Sequence, residues 1–193
     1  MTDRYDAGAE DVVGACCTGR DGVDAVPDGL LAASLRSGLL TLRLPVASQT
    51  AEVWGWLTRP GLLAQWSPVV PDRELTTPGP ASARETAESE PVDATVVEAF
   101  EPFRLVHRWG DDTLTWQLAP SGVTTHLQLV HDLADRERYA EVAAGWHLCL
   151  GVLADRLAGG DSPRVVGPDA LAAGWDRLRA AYLAAIVPND ADD

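Results

Sequence analysis

The sequence predicts an α+β fold in which a curved antiparallel sheet closes over one long amphipathic helix. Three observations carry this prediction. Four strand-patterned runs follow one another between residues 92 and 133 with only short turns between them. A helical pattern of about five turns comes directly after them, and a lone alternating strand with two short helices precedes them.

The elements follow in chain order. Residues 1–34 are rich in Asp, Gly and Ala without sustained periodicity, and read as an acidic flexible leader in which "LLAASLR" adds a short helical turn. In "GLLTLRLPV", Leu40, Leu42 and Leu44 alternate with Thr41 and Arg43, the pattern of a half-buried strand. Ser48 is placed to cap a helix over "TAEVWGWLT", and "RPGLLAQWSP" continues as a turn and a second short helix. The Pro-, Gly-, Thr- and Ser-dense segment "PDRELTTPGPASARETAESEP" predicts irregular chain or weakly paired edge strand.

The runs "VDATVVEAF", "FRLVHRW", "TLTWQLA" and "VTTHLQLVHDL" are joined by "EP", "GDD" and "PSG", which gives an antiparallel meander. In the next stretch, Tyr139, Val142, Ala143, Trp146, Leu150, Leu153 and Leu157 recur at helical steps, and Gly159–Gly160 supplies a stop. A one-faced sheet must cover its apolar side, and this helix is the available cover. A last helix starts at Pro168–Asp169 with the stripe Leu171, Trp175, Leu178 and Tyr182. The domain is therefore expected over residues 35–160, with a helical extension and tail over 161–193.

Composition narrows the function classes. The formal net charge is −14, and every one of the fifteen basic residues is arginine. Such an acidic chain is repelled by phosphate backbones and anionic lipid, which argues against nucleic-acid and membrane partners. No run of about 18 apolar residues suggests a membrane span, and the acidic start does not read as a signal peptide, so the cytoplasm is the default location. Cys16, Cys17 and Cys149 form neither a disulfide framework nor a CxxC zinc pattern. There is no GxSxG elbow, P-loop or GxGxxG, and nothing implies a cofactor.

Four stretches, in this order, resemble the START-like (SRPBCC) superfamily, and within it the branch of the activator of the heat-shock-protein-90 ATPase. They are "VWGWLTRPGLLAQW" (Val53 to Trp66), "PFRLVHRW" (Pro102 to Trp109), "GVTTHLQLVHDL" (Gly122 to Leu133) and "GWHLCLGVLADRLAG" (Gly145 to Gly159). The resemblance implies a helix-grip fold with a cavity between sheet and helix for a hydrophobic small molecule. It implies no single activity, because the superfamily joins carriers, receptors, cyclases and dehydratases.

Strand parity selects the side chains that face the helix. These are Leu105, His107 and Trp109, then Leu114, Trp116 and Leu118, then Thr125, Leu127, Leu129, His131 and Leu133, while His126 points outward with Gln128. Trp66, Leu105, His107, Trp109, Trp116, Leu118, Leu129, His131, Trp146 and Leu150 are the candidate ligand-binding residues, and the same tryptophans serve equally to fill a core. His107 and His131 are the candidates for anchoring a ligand or for acid–base chemistry. A metal reading lacks a third ligand on that face, and His131 and Asp132 lie on opposite strand faces, so they form no dyad. On the helix, His147 and Cys149 are about 200° apart around the axis and form no pair.

Three functions stay open on these residues. One is binding of a hydrophobic or aromatic small molecule, for which a pocket of at least about 300 Å³ touching His107 or His131 is expected. The second is a cyclase, dehydratase or hydrolase using the two histidines. The third is a protein-interaction module or homodimer contact through Leu171, Trp175, Leu178 and Tyr182.

Overall fold

The computed structural model describes residues 31–186 and begins with a hairpin where the sequence pattern indicates a helical turn. Strand β1 (Ala32–Arg36) pairs antiparallel with β2 (Leu39–Val46). The two-residue turn between them, Ser37–Gly38, takes positive φ at both positions (49° and 83°). Primed hairpin turns require that geometry, and their twist matches the twist of the strands. The expected leader loses its last residues to this strand; its earlier part, with Cys16 and Cys17, lies outside the described residues.

Helix α1 (Thr50–Thr58) and the single turn α2 (Pro60–Leu63) follow β2. The N-cap is Gln49 rather than Ser48, whose hydroxyl donates instead to Glu52, 2.6 Å away. The Pro-rich segment makes a small separate sheet from β3 (Val70–Pro71), β4 (Ser82–Arg84) and β5 (Val92–Asp93). These pairings are two or three residues long, as its prolines and glycines dictate.

The meander supplies β6 (Val96–Phe100), β7 (Arg104–Trp109), β8 (Asp112–Ser121) and β9 (Thr124–Asp132). Strand β9 then pairs back onto β2, giving a six-stranded antiparallel sheet in the order β1-β2-β9-β8-β7-β6. Register places Leu40 and Leu114 on either side of His131, Trp116 opposite Leu105, and Leu114 opposite His107. Cross-strand partners share a face, so one side of the sheet is leucine, tryptophan and histidine. Leu40, Leu42, Leu105, Leu114, Leu129 and His131 are all fully buried there, while His126 is exposed.

Helix α3 (Tyr139–Leu157) covers that side. Trp146, Leu150, Leu153 and Leu157 are buried, and Gly159 at φ 86° ends the helix, its N–H bonded to the Arg156 carbonyl. The terminal extension is two helices, not one: α4 (Pro168–Ala172) and α5 (Trp175–Ala185), separated at Gly174, whose φ is 87°. α5 packs along the outer side of α3, which buries Leu178 and Tyr182 completely. The expected contact stripe is thereby split: those two residues are spent inside the chain, Trp175 is half-buried and Leu171 is exposed.

Candidate functional site

The two inward histidines sit where parity places them, and each is held in one tautomer by an unambiguous donor. The indole N–H of Trp146 donates to Nδ1 of His131 at 3.0 Å, so that nitrogen accepts. Nε2 of His131 then carries the hydrogen and donates to the Asp112 carboxylate at 2.8 Å. Asp112 is fixed in turn by the Ala134 N–H, 2.8 Å from its other oxygen. At His107, Nδ1–H donates to the Arg108 carbonyl at 2.9 Å, and Nε2 accepts from the Trp116 indole at 3.2 Å.

Both rings are neutral. Burial pushes His107 down to about 4, against the partial support of the Arg108 carbonyl, and the nearby His131 lowers it further. Burial also lowers His131, although the Asp112 bond and charge oppose the shift. Asp112 is a site residue that the sequence reading missed: it pairs with Trp109 and has the parity of Leu114 and Trp116, so it is a carboxylate on the inward face. It stands at the first position of β8, two residues before Leu114, the cross-strand partner of His131, and bonds the ring from there.

Around these rings the tryptophans pack edge to face. Trp116 and Trp146 lie 5.4 Å apart at 85°, and Trp66 meets Trp116 at 6.0 Å and 84°. Trp109 contacts Trp146 at 5.7 Å and tilts against His131 at the same distance. The space left beside His107, Trp116 and Trp146 measures about 10 Å³, room for about one water. Leu105, Leu118, Leu129, Leu150 and Trp66 are buried in this same core.

An open cleft of about 460 Å³ lies on the other side of Trp146. Trp109, Val142 and Trp146 form its inner wall, and Val165, Leu171 and Trp175 of the extension form its outer wall. Arg138, Glu141 and Glu85 stand among its lining residues. The outer wall is pinned by Arg164, which donates to the Ser67 carbonyl at 2.8 Å and to the Glu85 carbonyl at 2.6 Å. Of the ten candidate ligand residues, only Trp109 and Trp146 line this cleft, and it stops short of both histidines. No pattern in the sequence marks this cleft, because its outer wall comes from a segment beyond the expected domain.

A broader groove of about 710 Å³ crosses the outer face of the sheet near Phe100 and Phe103. Three of its polar side chains are engaged with one another: Arg43 with Gln128 at 2.8 Å and Gln128 with Gln117 at 2.9 Å.

His147 and Cys149 diverge as helical geometry requires. Nδ1 of His147 and the Tyr182 hydroxyl share a hydrogen bond of 2.8 Å across the α3–α5 contact. Cys149 faces the Val165 carbonyl, and burial pushes its thiol up to about 12, which leaves it unreactive. Among the described residues, no three His, Cys, Asp or Glu side chains come together in a metal-binding group. No described helix is long and apolar enough to cross a membrane.

Comparison with solved structures agrees with this architecture. CalU16 from Micromonospora echinospora superposes with a TM-score of 0.58 at 19% identity, over 76% of this chain and 86% of its own. A Bordetella parapertussis protein gives 0.58 at 24% identity over 84% and 90%. DynU16, a protein of the dynemicin biosynthetic locus, also gives 0.58 at 24% identity over 65% of this chain; the match spans 49% of the length of DynU16. No curated protein matches the sequence. The family model described as "Activator of Hsp90 ATPase homolog 1-like protein" matches residues 47–158, from the approach to α1 to the end of α3, and with the helix-grip architecture this makes the chain a member of that family, of SRPBCC type.

Proposed function

We propose that this chain binds a hydrophobic or aromatic small molecule, and that the ligand enters the 460 Å³ cleft between α3, the end of β7 and the α4 segment. The observation that carries the reading is the cleft's composition. Trp109, Trp146 and Trp175 line it together with Val142, Val165 and Leu171, with charged groups beside them. Pockets of this size, mostly apolar with a few polar groups, are the usual form of small-molecule sites.

The magnitude is modest but measurable. A two-ring aromatic that buries about 200 Å² of apolar surface gains roughly 5 kcal/mol, equivalent to a Kd of about 0.2 mM. Tighter binding needs polar contacts as well, and Arg138, Glu141 and Glu85 are the charged side chains available in the cleft. The membership of the family supports a ligand-binding domain in general terms.

The test is a titration with naphthalene followed by backbone and indole NMR signals. Shifts confined to Val142, Gly145, Trp146 and Ala170 are expected, and Leu171→Glu, at an exposed position on the outer wall, should weaken binding severalfold without unfolding the chain. No perturbation up to the probe's solubility, or perturbation centred on the groove near Phe100, overturns the proposal.

A further inference from the structure

The outer face of the sheet carries a row of side chains that the core does not use. Register aligns Arg43, Gln128, Gln117 and Arg104 across the four inner strands, with Phe100 beyond Arg104 on β6. Arg43 has only donors, so the Gln128 atom that it meets at 2.8 Å is the amide oxygen. The amide nitrogen of Gln128 then donates to the Gln117 oxygen at 2.9 Å. The row is therefore directed, and it ends on the amide nitrogen of Gln117, which has no acceptor among the described residues. Its other cross-strand neighbour, Arg104, is again a donor only. The Arg104 Nε is held by the Glu98 carboxylate at 3.0 Å, and its two terminal nitrogens have no partner among the described residues. Donors thus stand side by side with no acceptor between them.

The surroundings suit an anion with an apolar body. The 710 Å³ groove along this row is lined by Arg43, Arg104 and His126 and by no described carboxylate, in a chain whose formal net charge is −14. At its β6 end Phe100 and Phe103 are 62% and 41% exposed, with ring centroids 5.9 Å apart. The β6–β7 turn fixes both: the Phe103 N–H donates to the Phe100 carbonyl at 2.7 Å, and the Phe103 carbonyl accepts from the Leu118 N–H at 2.8 Å. An exposed aromatic pair already held in place needs little ordering when a flat molecule binds.

We infer that this groove is a second binding site for an aromatic carboxylate, which accepts from Gln117 and Arg104 and lays its ring on Phe100 and Phe103. The site shares no lining residue with the cleft. A carboxylate matches the fork of a guanidinium better than a neutral carbonyl does, and a cation meets only donors there. Glu98 competes for Arg104 and so moderates the affinity.

The test compares naphthoate with naphthalene, followed at low salt by the NMR signals of the glutamine side-chain amides and the arginine Nε–H groups. Naphthoate is expected to shift the signals of Gln117, Gln128 and Arg104, which naphthalene leaves unmoved, and added salt should weaken its binding. Arg104→Gln should weaken naphthoate binding about tenfold, the worth of one charge-assisted pair. Glu98→Gln, which frees Arg104, should strengthen it severalfold. Both side chains are partly exposed, so the fold survives either change. Naphthoate that shifts only Gly145 and Trp146, or that binds wild type and both variants equally, overturns the inference. Phe100 and Phe103 signals that change with protein concentration and not with naphthoate place a second copy of the chain on this face, which overturns it as well. Naphthalene at Gly145 and Trp146 judges the cleft separately, so either site can fail without the other.

Discussion

The two sides of α3 are built on different terms. Toward the sheet the helix offers Trp146, Leu150 and Leu153 to a face of leucines and two histidines, where every ring nitrogen of both histidines has a partner. Away from the sheet it offers His147, and this side is closed by a terminal helix through the Tyr182 contact, the Tyr139–Ile186 bond and the burial of Leu178. The first side is a network in which the indole N–H groups of Trp116 and Trp146 each fix a histidine tautomer. The second is a simpler apolar contact in which His147–Tyr182 is joined by the Tyr139 hydroxyl on the Ile186 carbonyl and by an exposed Arg179–Glu141 pair. Damage to the network side should therefore cost more, and should depend on protonation in a way that damage to the other side does not.

The largest effect is expected at Trp146. Trp146→Ala removes a fully packed ring and leaves His131 Nδ1 unpaired, so urea denaturation should show a loss of about 3–5 kcal/mol. A loss below about 1 kcal/mol would mean that the aromatic cluster is loosely packed, and the contrast between the two sides would fail.

Acid is the next lever. His107 titrates near 4 in the folded chain because of its burial, against about 6.5 when unfolded. Between those values the unfolded chain holds more protons, so the stability due to neutral His107 is complete above pH 6.5. It declines as pH falls, and levels off below about pH 4. The loss amounts to roughly 3 kcal/mol for this residue alone, and His131, also lowered by burial, adds to it in the same direction. Urea midpoints measured from pH 7.5 to 4 should trace this decline. A flat profile would show that the two rings are not held neutral.

This network also marks the limit of what the sequence discloses. Parity in "RLVHRW" and "TTHLQLVHDL" fixes which residues turn inward, because alternation is a property of a single strand. The Asp112–His131 bond follows the same alternation, since Asp112 is in step with Leu114 and Trp116, but the apolar run starts at Leu114 and leaves the acid looking like part of the turn at Gly110–Asp111. The β1–β2 hairpin was legible in principle, since Ser-Gly between two apolar runs is a turn signature. The cleft was not legible, because it exists only through the path of the extension after Gly159, pinned by Arg164 to carbonyls at Ser67 and Glu85.

On the extension side, Tyr182→Phe tests the buried His147–Tyr182 pair. It keeps the ring that Leu178 and α3 pack against and removes only the hydroxyl on His147 Nδ1. The expected cost is about 1–2 kcal/mol, that of leaving one buried nitrogen unpaired. A cost equal to that of Trp146→Ala would erase the difference between the two sides.

The smallest effect has the opposite sign and separates helix from network. Gly151 lies inside α3, is exposed, and has no atom within 4 Å of where a Cβ would stand. Gly151→Ala therefore touches neither side and changes only backbone entropy, so it should stabilise the chain by about 0.5–1 kcal/mol. Gly145→Ala has the same open Cβ position and should gain a similar amount, but its new methyl group stands in the cleft next to Trp146. If α3 is stabilised equally by both substitutions and only Gly145→Ala weakens aromatic binding, the cleft is functional space rather than a packing gap. Equal binding in the two variants would place the ligand elsewhere.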